Sequence, residues 1–177
     1  MWTIRAEREE DGEGVERLVD LGFGPGRFAK TAYRLREGVF PEGLLSFVAE
    51  DKESHRLLGS VRFWPISVGS RPALLLGPLA VEPQLRGRGI GIALMQHGID
   101  EARKLDYDAV VLVGDEPYYV RVGFARLPKG RVRFPGPVDP NRVLGLALKP
   151  NALITLSGEV KRARIDCAVS APSAKLG

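Results

Sequence analysis

Between Gln84 and Gly91 the chain reads Gln-Leu-Arg-Gly-Arg-Gly-Ile-Gly, and this run is the part of the sequence best suited to hold a charged ligand. Gly87, Gly89 and Gly91 remove side chains where a ligand approaches and permit tight backbone geometry. After Gly87, Ile92, Met95, Ile99, Ala102 and Leu105 recur at three- and four-residue steps, which predicts a helix running to about Leu105. The first turns of such a helix carry N–H groups without intrahelical partners, and the helix dipole favours a phosphate there. Arg86 and Arg88 add positive charge at the same rim. The run therefore reads as a grip for the pyrophosphate of a nucleotide-containing cofactor, set against the plainer reading of a tight strand–helix turn that holds nothing.

Glycine spacing separates the phosphate-binding patterns. A nucleotide-hydrolysing P-loop needs GxxxxGK followed by Ser or Thr; Gly91 follows Gly87 by only four residues, and no such Lys-Ser/Thr pair is present. A dinucleotide fingerprint, G-x-G-x-x-G, fails at its third glycine, where the chain has Ile92. The pattern Q/R-x-x-G-x-G/A is met by Gln84, Gly87 and Gly89, directly after Leu79-Ala80-Val81 and Glu82-Pro83. On these residues the chain resembles the GCN5-related N-acetyltransferase (GNAT) superfamily, and the resemblance runs from about Trp2 to Leu148. It implies that Arg86, Gly87, Arg88, Gly89, Ile90 and Gly91 bind the pyrophosphate of acetyl-CoA through backbone N–H groups, and that Leu79, Ala80 and Val81 line the pantetheine arm. It also implies an α/β (α+β) acyl-CoA N-acyltransferase fold: a central mixed, mostly antiparallel sheet with splayed central strands, flanked by helices. The arrangement of the early loop Phe23 to Phe28, the helix after it and the late loop Phe134 to Val138, including the segment near Leu146 to Leu148, is similar to the YhbS-like bacterial branch of the superfamily, a resemblance that names no acceptor.

A second constellation spans Val113 to Phe124 and contains Tyr118 and Tyr119. Aminolysis of a thioester leaves a thiolate, and a phenol beside the sulfur can supply a proton or stabilise the charge. Tyr119, Gly123 and Phe124 fall in register with the family's Tyr-x-x-x-Gly-Phe ending, so the resemblance assigns Tyr119 the acid role. Tyr118, one residue away, is expected to face elsewhere, and both rings also fit a plain reading as core-edge aromatics. The base that would take a proton from the amine stays open among Glu50, Glu82, Asp115 and Glu116. His55, in a polar connection, and His97, within the long helix, read as structural or exposed. No His/Cys/Asp cluster has ligand spacing, so no metal is expected.

These groups need elements to hold them. Trp2 to Ala6 reads as a strand and Glu9 to Val19 as a helix with acids at its start. Leu21 to Gly26, with three glycines and a proline, reads as a loop. Phe28 to Arg36 reads as a second helix. With the loop before it, that helix forms part of the acceptor wall in this family, and Phe134 to Val138 forms another rim. Leu44 to Glu50 and Leu57 to Ile66 read as a hairpin pair. Ala73 to Val81 reads as a central strand in which Gly77-Pro78 forces a bulge or a splay. Ala109 to Val113 and Val143 to Leu148 are further strands, and Pro117 to Val122 is a short helix that Gly123 ends.

The chain has 177 residues and a formal net charge of +4. It fits one N-acetyltransferase domain over residues 1–150, with residues 151–177 an extension of undecided packing whose end, Ser170 to Gly177, is expected to fray. No apolar run reaches the roughly 18 residues that span a bilayer. Cys167, the single cysteine, allows no internal disulfide, so the expected compartment is the cytoplasm. No zinc finger or basic arm accompanies the charge, so nucleic acid is not the expected partner. The reading is an acetyl-CoA-dependent N-acetyltransferase acting on a small-molecule or peptide amine by direct attack in a ternary complex. Its alternatives are an acyl-CoA-binding sensor without turnover and another phosphate-dependent α/β enzyme. A homodimer is the default oligomer.

Overall fold

The structure is a computed structural model that describes residues 1–26, 30–36, 41 and 43–163, apart from the side chains of Tyr33 and Leu44. In chain order its elements are β1 (Trp2–Ala6), α1 (Gly12–Phe23), α2 (Thr31–Arg34), β2 (Ser46–Asp51), β3 (Leu57–Val68), β4 (Arg71–Val81), α3 (Ile90–Ala102), β5 (Ala109–Val113), α4 (Glu116–Tyr119), β6 (Ala125–Arg126), β7 (Val132–Arg133), β8 (Val143–Ala147), α5 (Ala152–Thr155) and β9 (Gly158–Arg162). One sheet runs β1-β2-β3-β4-β5-β8-β6, and β9 pairs with both β3 and β7. Only the β4–β5 and β7–β9 pairs are parallel, so the sheet is mixed and mostly antiparallel.

Alternation along β2 decides which helix covers which face. Phe47 and Ala49 pack with Ile90, Leu94, Met95, Ile99 and Ala102 of α3. Val48 points the other way, into a cluster with Val15, Leu18 and Val19 of α1 and with Leu57 and Ala80. α3 lies so close to the sheet that a Cβ on Gly98 would overlap the Phe63 ring. Gly98→Ala is therefore expected to cost about 1–3 kcal/mol of stability through overpacking, read by urea denaturation. At the start of α1, the Asp11 carboxylate accepts from the Arg5 guanidinium at 2.7 and 2.9 Å and from the Arg8 amide at 2.7 Å. These bonds hold its pKa below the ordinary aspartate value, the Arg5 pair first among them.

The centre of the sheet opens. β4 pairs with β5 only over Ala73–Leu75, against Ala109–Val111. Beyond that point β5 goes on pairing with β8 through Leu112 and Val113, while β4 continues with β3. The two strands part at Gly77-Pro78, as the sequence led us to expect. Leu76 faces Phe63 and Leu79 faces Val61, so Gly77 and Pro78 stand together against Arg62 in a bulge. Pro78 has no N–H for a ladder, and the Gly77 carbonyl accepts instead from the Trp64 indole at 2.5 Å.

Three expectations need correction. α1 does not stop near Val19 but runs to Phe23, with Gly22 inside it, and ends at Gly24 with φ +65°. β3 extends to Val68 because its far end gains β9 as a partner, Ile66–Val68 pairing with Val160–Arg162. The second helix is one turn, Thr31–Arg34; Phe28, where it was expected to begin, lies outside the described residues, as do Cys167 and the tail.

Candidate active site

Two cavities meet where β4 and β5 part. The first, of about 480 Å³, lies between β4 and the start of α3. Leu79, Ala80, Val81, Arg86, Gly87, Gly89, Ile90 and Gly91 all line it; Arg88 is exposed and does not. The chain leaves β4 through a 3-10 turn over Pro83–Leu85 and enters α3 at Gly89. Gly87 (φ +80°) and Gly89 (φ +84°) both hold left-handed backbone, and a Cβ on either would meet nothing within 4 Å. Neither glycine is demanded by internal packing; the conformation and the open space above it are the reason for it. The first N–H groups of α3 lie at this opening, at the positive end of the helix dipole. The amides of Arg86 and Arg88 turn back to the carbonyls of Pro83 and Leu85, at 3.4 and 3.3 Å.

The opposite wall comes from the turn after β5. Asp115, Tyr118, Tyr119 and Arg121 line the same cavity. Tyr118 was expected to face away, and this is corrected: its hydroxyl stands over Gly91, where a Cβ would overlap it. Successive residues of a helical turn lie about 100° apart, so a turn seated across the mouth can direct both phenols inward. The two rings meet edge to face, with centroids 5.2 Å apart and planes at 86°. Tyr119 is held from behind by Phe124, with centroids 6.1 Å apart, and from below by Gly114, where any Cβ would strike its ring. Burial, first of all, pushes the Tyr119 phenol up to about 12; Arg142 and Arg36 act in the opposite direction.

The second cavity, of about 320 Å³, lies on the other side of the opening. Its walls are Val19 and Phe23 of α1, Leu76–Leu79 of β4, Val113, Tyr119, and the loop residues Pro137 and Val138, with Lys30, Thr31, Ala32, Arg36, Asp139 and Arg142 around them. The Thr31 hydroxyl donates to the Pro137 carbonyl at 3.0 Å and so joins α2 to the proline-rich loop. Both expected acceptor rims thus contribute to one chamber. Phe23, Leu79 and Tyr119 line both cavities.

The base candidates separate clearly. Glu82 is buried, but it turns to Arg17 of α1 at 3.2 Å and lines neither cavity. Glu50 pairs with Arg5 and His55 beside β1, and Glu116 pairs with Arg126. Asp115 lines the first cavity, where its carboxylate accepts from Arg142 Nε at 3.2 Å. His97, half-buried, stacks edge-on against Phe47, 4.6 Å between centroids, and lines neither cavity. Among the described residues, no group of three His, Cys, Asp or Glu side chains could hold a metal ion. Sequence reasoning gave no site role to Arg121 or Asp139; no spacing marks them, because each reaches its cavity only through the turn that carries it.

Residues 14–126 match the Acetyltransferase (GNAT) family. The chain belongs to this family. Within it, the sequence is 35% identical over 148 residues to YhbS of Escherichia coli K12, an uncharacterized N-acetyltransferase, covering 81% of this chain and 87% of that one. YhbS from Escherichia coli in complex with CoA superposes with a TM-score of 0.75 at 31% identity, over 92% of this chain and 89% of that one. A GNAT acetyltransferase of Brucella melitensis in complex with acetyl-CoA gives 0.67 at 25% identity, over 93% and 97%. The opened β4–β5 seam is thus set in a GNAT fold over nearly the whole described chain. No helix among the described residues is long and apolar enough to cross a membrane.

Proposed function

We propose that this GNAT protein moves an acetyl group from acetyl-CoA to a primary amine by direct attack within a ternary complex. The observation that carries the reading is that two cavities, one glycine-mouthed and one lined by apolar and cationic groups, share Leu79, Phe23 and Tyr119. A thioester lying along β4 from the first cavity would meet an amine from the second at the Tyr119 hydroxyl. Family relatives have been solved with CoA and with acetyl-CoA, which supports the same ligand for the first cavity.

In this reading the backbone of Gly87 and of Gly89 to Gly91 holds the pyrophosphate, the amides of Arg86 and Arg88 being turned back to Pro83 and Leu85, and Leu79, Ala80 and Val81 accompany the pantetheine arm. The amine lone pair attacks the thioester carbonyl, the C–S bond breaks, and sulfur leaves with the electron pair. Tyr119 donates a hydrogen bond to that sulfur and supplies its proton as charge builds. The amine gives up its own proton to water, and water returns one to the Tyr119 phenolate, which balances the step. Cys167, the single cysteine, is given no covalent role. We place the reaction in the cytoplasm, in keeping with a sequence that holds a single cysteine. Calorimetry with acetyl-CoA tests the reading: saturable binding by folded protein is expected, and no heat of binding at millimolar ligand would sink it.

A further inference from the structure

The first cavity has two walls, and only the α3 wall has so far been given a part in holding the cofactor. Tyr118 and Arg121 line the same cavity from the turn after β5. Three residues apart on a helical turn, they project to the same side. The Tyr118 hydroxyl stands over Gly91, the second residue of α3, where a Cβ would overlap it. That Cβ position lies 3.5 Å from Val81 Cγ2 and 3.6 Å from Leu79 Cδ2, so the hydroxyl is set beside apolar side chains. Among the described residues, no hydrogen bond holds this hydroxyl, and no hydrogen bond or ion pair holds Arg121. The carboxylate on their wall, Asp115, accepts from Arg142 instead. A phenylalanine would give the same half-buried packing without an unpaired polar atom, so packing does not account for the Tyr118 oxygen. Burial raises the Tyr118 pKa, and Arg121 is near enough to act on it in the opposite direction. The phenol therefore stays protonated and able to donate.

Resting on the acetyl-CoA reading above, we propose that Tyr118 and Arg121 are the second jaw of the cofactor grip, donating to the pyrophosphate from the wall opposite the α3 amides. The α3 side supplies a limited set of donors. Ala93 already makes an intrahelical bond, to the Gly89 carbonyl at 2.9 Å, so the amides that precede it in α3 are those left at the opening. Gly91 is one of them, and the Tyr118 hydroxyl stands over that residue. A helix end is worth roughly half an elementary charge, whereas the pyrophosphate of CoA carries two negative charges, so the dipole alone leaves most of that charge unmatched. Arg121 adds a full positive charge and a planar fork of donors suited to phosphate oxygens, and Tyr118 adds one O–H. Oxygens turned away from the helix thus meet donors too. The arrangement also gives Gly91 a reason: a side chain there would displace the hydroxyl.

The test titrates CoA and dephospho-CoA, which lacks the 3′-phosphate, into the unaltered protein, Tyr118→Phe and Arg121→Gln by calorimetry. Each variant is expected to raise both Kd values about 10-fold, the loss of one charge-assisted hydrogen bond. A loss that appears with CoA and vanishes with dephospho-CoA would assign the contact to the 3′-phosphate and overturn the proposal. So would Kd values within about twofold of the unaltered protein's. Arg121 is exposed, so Arg121→Gln carries the test should Tyr118→Phe fold poorly. Phosphorus NMR of the CoA-saturated proteins supplies the second readout. The pyrophosphate resonances of bound CoA should move in each variant while the 3′-phosphate resonance stays in place. Pyrophosphate resonances that coincide with those of the unaltered complex would show that the weakening acts through the pantetheine arm or the fold, and would also overturn the proposal. Failure of the unaltered protein to bind CoA is a separate result, the failure of the reading on which the proposal rests.

Discussion

Tyr119→Phe is expected to lower kcat for acetyl transfer about 10²-fold while the acetyl-CoA Kd stays within about twofold. The split follows from where the hydroxyl stands. Tyr119 lines both cavities, where the proposed reaction would have sulfur leave and the amine enter, whereas the glycine junction proposed to grip the pyrophosphate lines the first alone. Phenylalanine keeps the ring against Phe124 and over Gly114, so the packing survives the loss of the hydroxyl. The magnitude is set at the low end of acid catalysis for a specific reason. Burial pushes the phenol up to about 12, while an ordinary thiol titrates near 8.5, so the acid is about 3.5 pKa units weaker than the thiol it makes, about 5 kcal/mol. Tyr119 is therefore better at holding a hydrogen bond to the developing thiolate than at completing the transfer early. Arg142 and Arg36 pull the phenol down but do not offset its burial.

The pH profile follows with a definite sign. A pKa raised to about 12 keeps the phenol protonated at every pH an assay reaches. The rate should climb as the amine loses its proton and should not fall between about pH 8 and 10, the range in which a phenol of ordinary pKa begins to ionise. A descending limb in that range would show that the group lost on that limb is not Tyr119. An unchanged kcat for Tyr119→Phe, where chemistry limits the rate, would show the same by another route.

How much of this was legible beforehand depended on whether local pattern and tertiary role agreed. The glycine junction was legible because its conformational demand is written in residue types: Gly87 and Gly89 hold φ values that other side chains rarely adopt. The splay was legible because Pro78 cannot take its place in a ladder. The end of α1 was not, since Gly22 reads as punctuation. In the fold a Cβ added to it would lie 3.8 Å from the Arg86 guanidinium, and the packing of Leu18 and Val19 carries the helix through it. β9 was illegible for the opposite reason. Of Gly158 to Arg162 only Val160 is buried, so no alternation announces a strand, and its partners Val68 and Val132 lie far away in sequence. Tyr118 was misread although Pro117 to Val122 was read as a short helix: neighbours about 100° apart on a turn seated across the cavity mouth can both face inward. The second cavity was not legible as one chamber: Val19, Arg36, Val113 and Arg142 come from separate segments that only the fold brings together.

Gly89→Ala should weaken acetyl-CoA binding about 10- to 150-fold, the range expected for losing a charge-assisted backbone hydrogen bond. The argument needs a control, because alanine at φ +84° is strained wherever it stands, at about 1–2 kcal/mol. Gly130 provides it. Its φ is +77°, a Cβ there also meets nothing within 4 Å, and it lines neither cavity. Gly89→Ala and Gly130→Ala should therefore lower Tm by similar amounts, about 2–8 °C for a chain of this size. Only the first should raise the Kd in a calorimetric titration. Matched losses of affinity would mean that backbone strain acts globally and that the open face above Gly89 holds no ligand. Matched losses of Tm with divergent affinity would mean that the space above Gly89 is kept clear for the cofactor, since nothing else in the described structure occupies it.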